Sequence, residues 1–122
     1  MKTHKVLIAD DAPFIREILK ACCEQSALSI ECIMAENGNE ALSQFMAQAP
    51  DLVFMDIVMP ELSGIAATKK IREINKETPI LGLSTLDDGK VIKELLAAGA
   101  NAFLKKPFEQ QELLNLLEQH LR

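Results

Sequence analysis

Leu52-Val53-Phe54-Met55-Asp56 is the stretch that decides the fold. Four apolar residues in unbroken succession are too few for a helix with a buried face. A half-solvated strand would interrupt them with polar residues. A short continuous run suits a strand covered on both faces, as in a parallel sheet. It stops on an acid, and Ile57-Val58-Met59-Pro60 with Gly64 follow as a constrained loop. Helical spacing then begins with Ile65 and continues through Ile71 and Ile74.

The same exchange recurs on either side. Upstream lie the runs Val6-Leu7-Ile8-Ala9 and Ile30 to Ala35; downstream lie Ile80-Leu81-Gly82-Leu83 and Ala102-Phe103-Leu104. Helical faces follow them: Phe14, Ile15, Ile18, Leu19 and Cys22; Ala41, Leu42, Phe45 and Met46; Val91, Ile92, Leu95, Leu96 and Ala98; Leu113, Leu114, Leu116, Leu117 and Leu121. Pro13 reads as a first helical turn and Asn37-Gly38 as a turn, while Asp87-Asp88-Gly89 opens the fourth helix and Gly99 closes it. Five strand–helix units with right-handed crossovers predict an α/β, flavodoxin-like, doubly wound fold. Its five parallel strands take the order 2-1-3-4-5, with helices on both faces.

A chain of 122 residues, 48% apolar and 25% charged, has room for one core, so a single domain over 1–122 is expected. No segment reaches the ~20 apolar residues of a membrane span. Met1-Lys2-Thr3-His4-Lys5-Val6 does not open like a signal peptide, so a soluble, cytoplasmic protein is expected. A net charge of -5 argues against direct binding to nucleic acid. Cys22, Cys23 and Cys32 form no CxxC pair and read as small core hydrophobes of a reducing compartment.

In this strand order ligands bind beyond the carboxyl ends of the strands, near the switch point between strands one and three. Polar residues stand at just these ends. Asp10 and Asp11 follow strand one, Asp56 follows strand three, Ser84 and Thr85 end strand four, and Lys105-Lys106 follow strand five. Each has a bland alternative, such as an N-cap for Asp11 or a solvated charge for Lys106. Four compatible chemistries on one rim favour a site. Three adjacent carboxylates repel by ~4 kcal/mol per close pair at an effective dielectric near 20, and a hard divalent cation such as Mg²⁺ offsets this. The charges then balance, with one ammonium added. Asp56 is left as a nucleophile toward phosphorus, while the Ser84 hydroxyl and Lys106 ammonium bind phosphoryl oxygens.

These residues resemble the response-regulator receiver domains of two-component signalling, closest in form to the single-domain chemotaxis-regulator type. The resemblance rests on Val6-Leu7-Ile8-Ala9-Asp10-Asp11, on Leu52 to Pro60 with Gly64, on Pro79 to Asp88 with Ser84, and on Phe103-Leu104-Lys105-Lys106-Pro107-Phe108. It implies that Asp56 takes a phosphoryl group from a histidine kinase, a phosphotransfer domain or a small phosphodonor. Mg²⁺, or Mn²⁺ in its place, is then held by Asp11, Asp56 and the Val58 backbone carbonyl, with Asp10 assisting through water. The resemblance also implies that Lys106 rather than Lys105 is the functional lysine and that its bond to Pro107 is cis. Ser84 and Phe103 become switch residues that reshape the face of the fourth helix, fifth strand and fifth helix for a downstream protein. Lys90, Lys93 and Lys105 lie on that face.

Three departures from the family pattern carry expectations of their own. Thr85 stands where a small Ala or Gly is common and narrows access to the site. Phe103 lacks the hydroxyl of the frequent Tyr, so it switches by ring burial alone. Val58 and Leu86 are apolar and shield an acyl phosphate from water. Two other classes compete with a receiver that catalyses only its own phosphorylation and dephosphorylation. A phosphohydrolase of the haloacid-dehalogenase type needs a second aspartate where Val58 stands and a cap domain. A receiver-like module that is never phosphorylated would not need the complete acceptor set.

Overall fold

The structure, a computed structural model, describes residues 2–85 and 89–121. Five strands alternate with five helices: β1 (Thr3–Ala9), α1 (Pro13–Glu24), β2 (Ser29–Ala35), α2 (Gly38–Gln48), β3 (Leu52–Asp56), α3 (Gly64–Ile74), β4 (Ile80–Ser84), α4 (Gly89–Ala98), β5 (Ala102–Lys105) and α5 (Gln110–Leu121). All neighbouring strands pair parallel, in the order β2-β1-β3-β4-β5. This is the expected flavodoxin-like arrangement.

Alternation along the strands divides the core in two. Val6, Ile8, Phe54, Leu81, Leu83 and Leu104 pack under α1 and α5, against Leu19, Cys23, Leu113 and Leu117. Leu7, Ala9, Val53, Met55 and Ile80 face the other way, against Ala41 and Phe45 of α2 and Ala67 and Ile71 of α3. Every residue of β3 and β4 is buried, which explains their unbroken apolar runs. The edge strands β2 and β5 are only partly covered. Burial of the Leu95 and Ala98 side chains fixes α4 to the same body, and Gly82 lets it approach: a Cβ there would meet Leu95 Cδ2 at 2.1 Å.

Several sequence expectations need correction. Asn37-Gly38 is a helix start, not a turn: the Asn37 side chain caps α2 by accepting the Glu40 N–H at 2.8 Å. On α1 the apolar spacing is real, but Phe14 is 70% exposed and Ile18 also faces solvent. The buried stripe runs through Leu19, Cys22 and Cys23. Met46 and Ile74 are likewise exposed. Cys22 and Cys23 are buried free thiols, and Cys32 is half-buried. Gly99 ends α4 at φ +119, a left-handed conformation suited to glycine. Leu86, Asp87 and Asp88 lie outside the described residues. Among the described residues, no helix is long and apolar enough to cross a membrane.

Candidate functional site

Strand register assembles the site. Ala9 pairs with Met55, so the next residues, Asp10 and Asp56, come side by side where β1 and β3 end. Asp56 pairs with Leu83, and Ser84 pairs with Lys105. The Ser84 carbonyl accepts the Lys106 N–H at 2.8 Å, and the chain turns into a cis Lys106–Pro107 bond, as the resemblance implied. Lys106 then reaches back across the sheet. Its Nζ donates to Asp10 Oδ2 at 2.5 Å and to Asp56 Oδ1 at 3.2 Å.

Asp11 completes the group. Carboxylate oxygens of Asp10, Asp11 and Asp56 all lie within 4.8 Å of one another. Asp10 and Asp56 are buried and Asp11 is exposed. The helix begins with Pro13 and has Ala12 at its cap position, so Asp11 is not the N-cap. Asp10 instead holds the turn, its Oδ1 accepting the Ala12 N–H at 3.0 Å.

Burial pushes the Asp56 carboxyl up from its ordinary range to about 6, with the Asp10 charge adding to the effect; the Lys106 ammonium pulls the other way, and Asp11 adds a smaller upward push. Three carboxylates against one ammonium leave the pocket two negative charges in excess. Its donors are all oxygen, and two come from buried strand ends. That set fits a hard divalent cation.

Of the predicted residues, the structure brings together Asp10, Asp11, Asp56 and Lys106. Ser84 is buried at the end of β4, the neighbouring strand. Phe103 is half-buried on β5, in register with Gly82 and so on the same side of the sheet. Val58 is 63% exposed in the loop after Asp56. Lys105 is the last residue of β5 rather than part of the following loop, and it is exposed. Thr85 is exposed too.

Three features of the site were not read from the sequence. Arg16 Nη1 donates to the Asp10 carbonyl at 2.6 Å, while its Nη2 lies 3.7 Å from Glu36 Oε1. A long side chain bound to a main-chain oxygen leaves no sequence pattern. Second, Gly64 packs directly against the Asp56 peptide, with its N–H donating to the Ile57 carbonyl at 2.9 Å. Third, Phe14, Ile15, Ile18, Pro107 and Phe108 form an apolar cleft of about 220 Å³ beside Lys106. A larger cleft of about 390 Å³, between α2 and α3, includes Pro50 and Thr78. These residues precede β3 and β4, so it lies at the opposite end of the strands from the carboxylates.

Residues 6–118 match the family model described as "Response regulator receiver domain". The chain is 35% identical to the chemotaxis protein CheY of Bacillus subtilis over 97% of its own length and 98% of that protein. It is 36% identical to CheY of Thermotoga maritima over 93% of each chain. Among solved structures, Vibrio cholerae chemotaxis protein CheY4 superposes with a TM-score of 0.88 at 32% identity, covering 98% of this chain and 100% of that one. A Francisella response-regulator receiver domain gives 0.88 at 34% identity, covering 97% of this chain and 96% of that one.

Proposed function

The chain belongs to the response regulator receiver domain family, the CheY-like signalling domains of two-component systems, and from that membership we propose that Asp56 is its phosphoacceptor. The observation that carries this assignment is the contact of one ammonium, Lys106, with both buried carboxylates at the switch point. The phosphodonor is a histidine kinase, a phosphotransfer domain or a small acyl phosphate.

Attack requires an ionised Asp56. Lys106 holds the negative form against burial and against Asp10. Asp11 and Asp56 side chains with the Val58 carbonyl would hold Mg²⁺, or Mn²⁺, with Asp10 assisting through water; such an ion would screen negative oxygens. An Asp56 oxygen forms the new O–P bond as the P–N bond to the donor histidine breaks, and the imidazole leaves with its electron pair and takes a proton from water. Lys106 moves its charge to a phosphoryl oxygen. The Ser84 hydroxyl takes another, and Asp10 remains buried beside the group.

Phosphorylation of a carboxylate adds roughly one negative charge and three strong acceptors. Ser84 follows them, Phe103 turns inward beside it, and the face of α4, β5 and α5 changes for a downstream protein partner. On this view the chain acts as a single domain over residues 1–122, in the cytoplasm, and catalyses only its own phosphorylation and dephosphorylation. Lys90 and Lys93 on α4, with Lys105 at the end of β5, give this face cationic character suited to an acidic partner helix.

The test is incubation with Mg²⁺ and acetyl phosphate, and in parallel with beryllofluoride, read by intact mass. An adduct of one phosphoryl group, absent in Asp56→Asn, is the expected result. Multiple turnover of assorted phosphoesters would instead reveal a hydrolase. No adduct at all would mean a module that is never phosphorylated.

A further inference from the structure

We propose that Arg16 is a positioning residue for the cation site, orienting the Asp10–Asp11 peptide so that both carboxylates face Asp56. This deepens the phosphoacceptor assignment and rests on it. The Arg16 side chain is only 12% exposed, and its two terminal nitrogens part company: one donates to the Asp10 carbonyl at 2.6 Å, the other lies 3.7 Å from the exposed Glu36 at the end of β2. The Asp10 carbonyl belongs to the peptide plane that leads into Asp11. Fixing that oxygen fixes the direction in which residue 11 leaves the strand. The other groups of Asp10 are held independently. Its N–H donates to the Ala35 carbonyl at 3.1 Å, and its carboxylate takes the Ala12 N–H and the Lys106 ammonium. Arg16 therefore holds the remaining main-chain group of Asp10.

Charge alone gives Arg16 the wrong sign. A cation placed beside an acidic pocket weakens attraction for a second cation, so simple Coulomb reasoning predicts tighter metal binding when Arg16 is removed. Orientation predicts the reverse, and with a chemical signature. Mg²⁺ demands near-ideal octahedral geometry at short distances, whereas Ca²⁺ accepts irregular shells. A loosened Asp10–Asp11 turn should cost Mg²⁺ far more than Ca²⁺. Arginine also suits the position because its planar fork turns two different nitrogens toward two separated acceptors, where a lysine has a single nitrogen.

The experiment is calorimetric titration of the full chain with MgCl₂ and with CaCl₂, for wild type, Arg16→Met, Arg16→Lys and Glu36→Gln. Urea unfolding monitors the fold. In Arg16→Met, Mg²⁺ affinity is expected to fall about tenfold and Ca²⁺ affinity to change less than about twofold, so the preference between the ions collapses. Glu36→Gln, which leaves the bond to Asp10 intact, is expected to remain near wild type. Arg16→Lys is expected to fall between, and it carries the comparison if the methionine variant unfolds. Tighter binding of both ions, equal weakening of both, or no change would overturn the proposal. Its failure is distinct from failure of the phosphoacceptor assignment, because the latter shows as a wild-type chain that takes no phosphoryl group.

Discussion

Gly64 sits so close to Asp56 that a Cβ at residue 64 would stand 1.8 Å from the Asp56 main-chain oxygen. The first residue of α3 thus packs on the peptide that follows the acceptor, and no side chain fits between them. Gly64→Ala should force helix and loop apart, with a loss of about 3 kcal/mol. Urea unfolding at neutral pH measures the loss, and acetyl phosphate labelling of the remaining folded protein should also fall. A variant as stable and as readily labelled as wild type would show that the loop yields without harm.

The raised pKa of Asp56 makes a signed prediction for pH. Folding lifts this carboxyl from 3.8 to about 6, so the native state binds the proton more tightly than the unfolded chain does. Without divalent cations, Asp56 therefore contributes full stability below about pH 4. That contribution is lost as pH rises through 6, with a cost of at most about 3 kcal/mol at pH 7. Asp56→Asn should be more stable than wild type at pH 7 in EDTA, and the difference should vanish near pH 4. Equal unfolding midpoints at pH 7 would contradict the electrostatic account of the pocket.

Val58, two residues beyond Asp56 and largely exposed, presents branched hydrocarbon where a polar side chain could orient water. Val58→Asn should shorten the lifetime of the phosphorylated protein by roughly tenfold, since positioning the nucleophile is most of what such a group supplies. Phosphate release from labelled, desalted protein measures it. Identical decay curves would remove the shielding role.

The cleft beside Lys106 should let large donors be told from small ones. Phe14 and Ile18 are exposed apolar residues next to the rim, a patch a protein donor can cover while acetyl phosphate ignores it. Phe14→Ala with Ile18→Ala should slow phosphoryl transfer from a histidine kinase or phosphotransfer domain at least tenfold. Labelling by acetyl phosphate should stay within about twofold of wild type. Equal slowing of both reactions would place the defect in the acceptor pocket.

Much of this was legible in residue order alone. Unbroken apolar runs at Leu52–Met55 and Ile80–Leu83 announced central parallel strands because those strands are buried throughout. The parallel register then carried Asp10 and Asp56 together without any need to know side-chain positions. What stayed hidden were contacts with main-chain atoms: Arg16 on the Asp10 carbonyl and Gly64 on the Asp56 carbonyl have partners every residue possesses. Exposure on α1 was misread for a related reason. Spacing shows which residues share a stripe, but where α1 overhangs the Pro107–Phe108 loop part of that stripe borders a cleft rather than the core. At Asn37-Gly38 a common turn dipeptide also serves as a helix start, and only the bond to Glu40 distinguishes the two.

Leu95 rests in the notch that Gly82 leaves in the face of β4. Strand periodicity makes Ile80 and Ser84 the two walls of that notch. A hydroxyl that moved at one wall, as proposed for Ser84, would disturb the notch in which Leu95 of α4 is seated. On that proposal, displacements of atomic size at the rim would be geared to a lever 10 residues long, with the smallest residue in the sheet as its fulcrum.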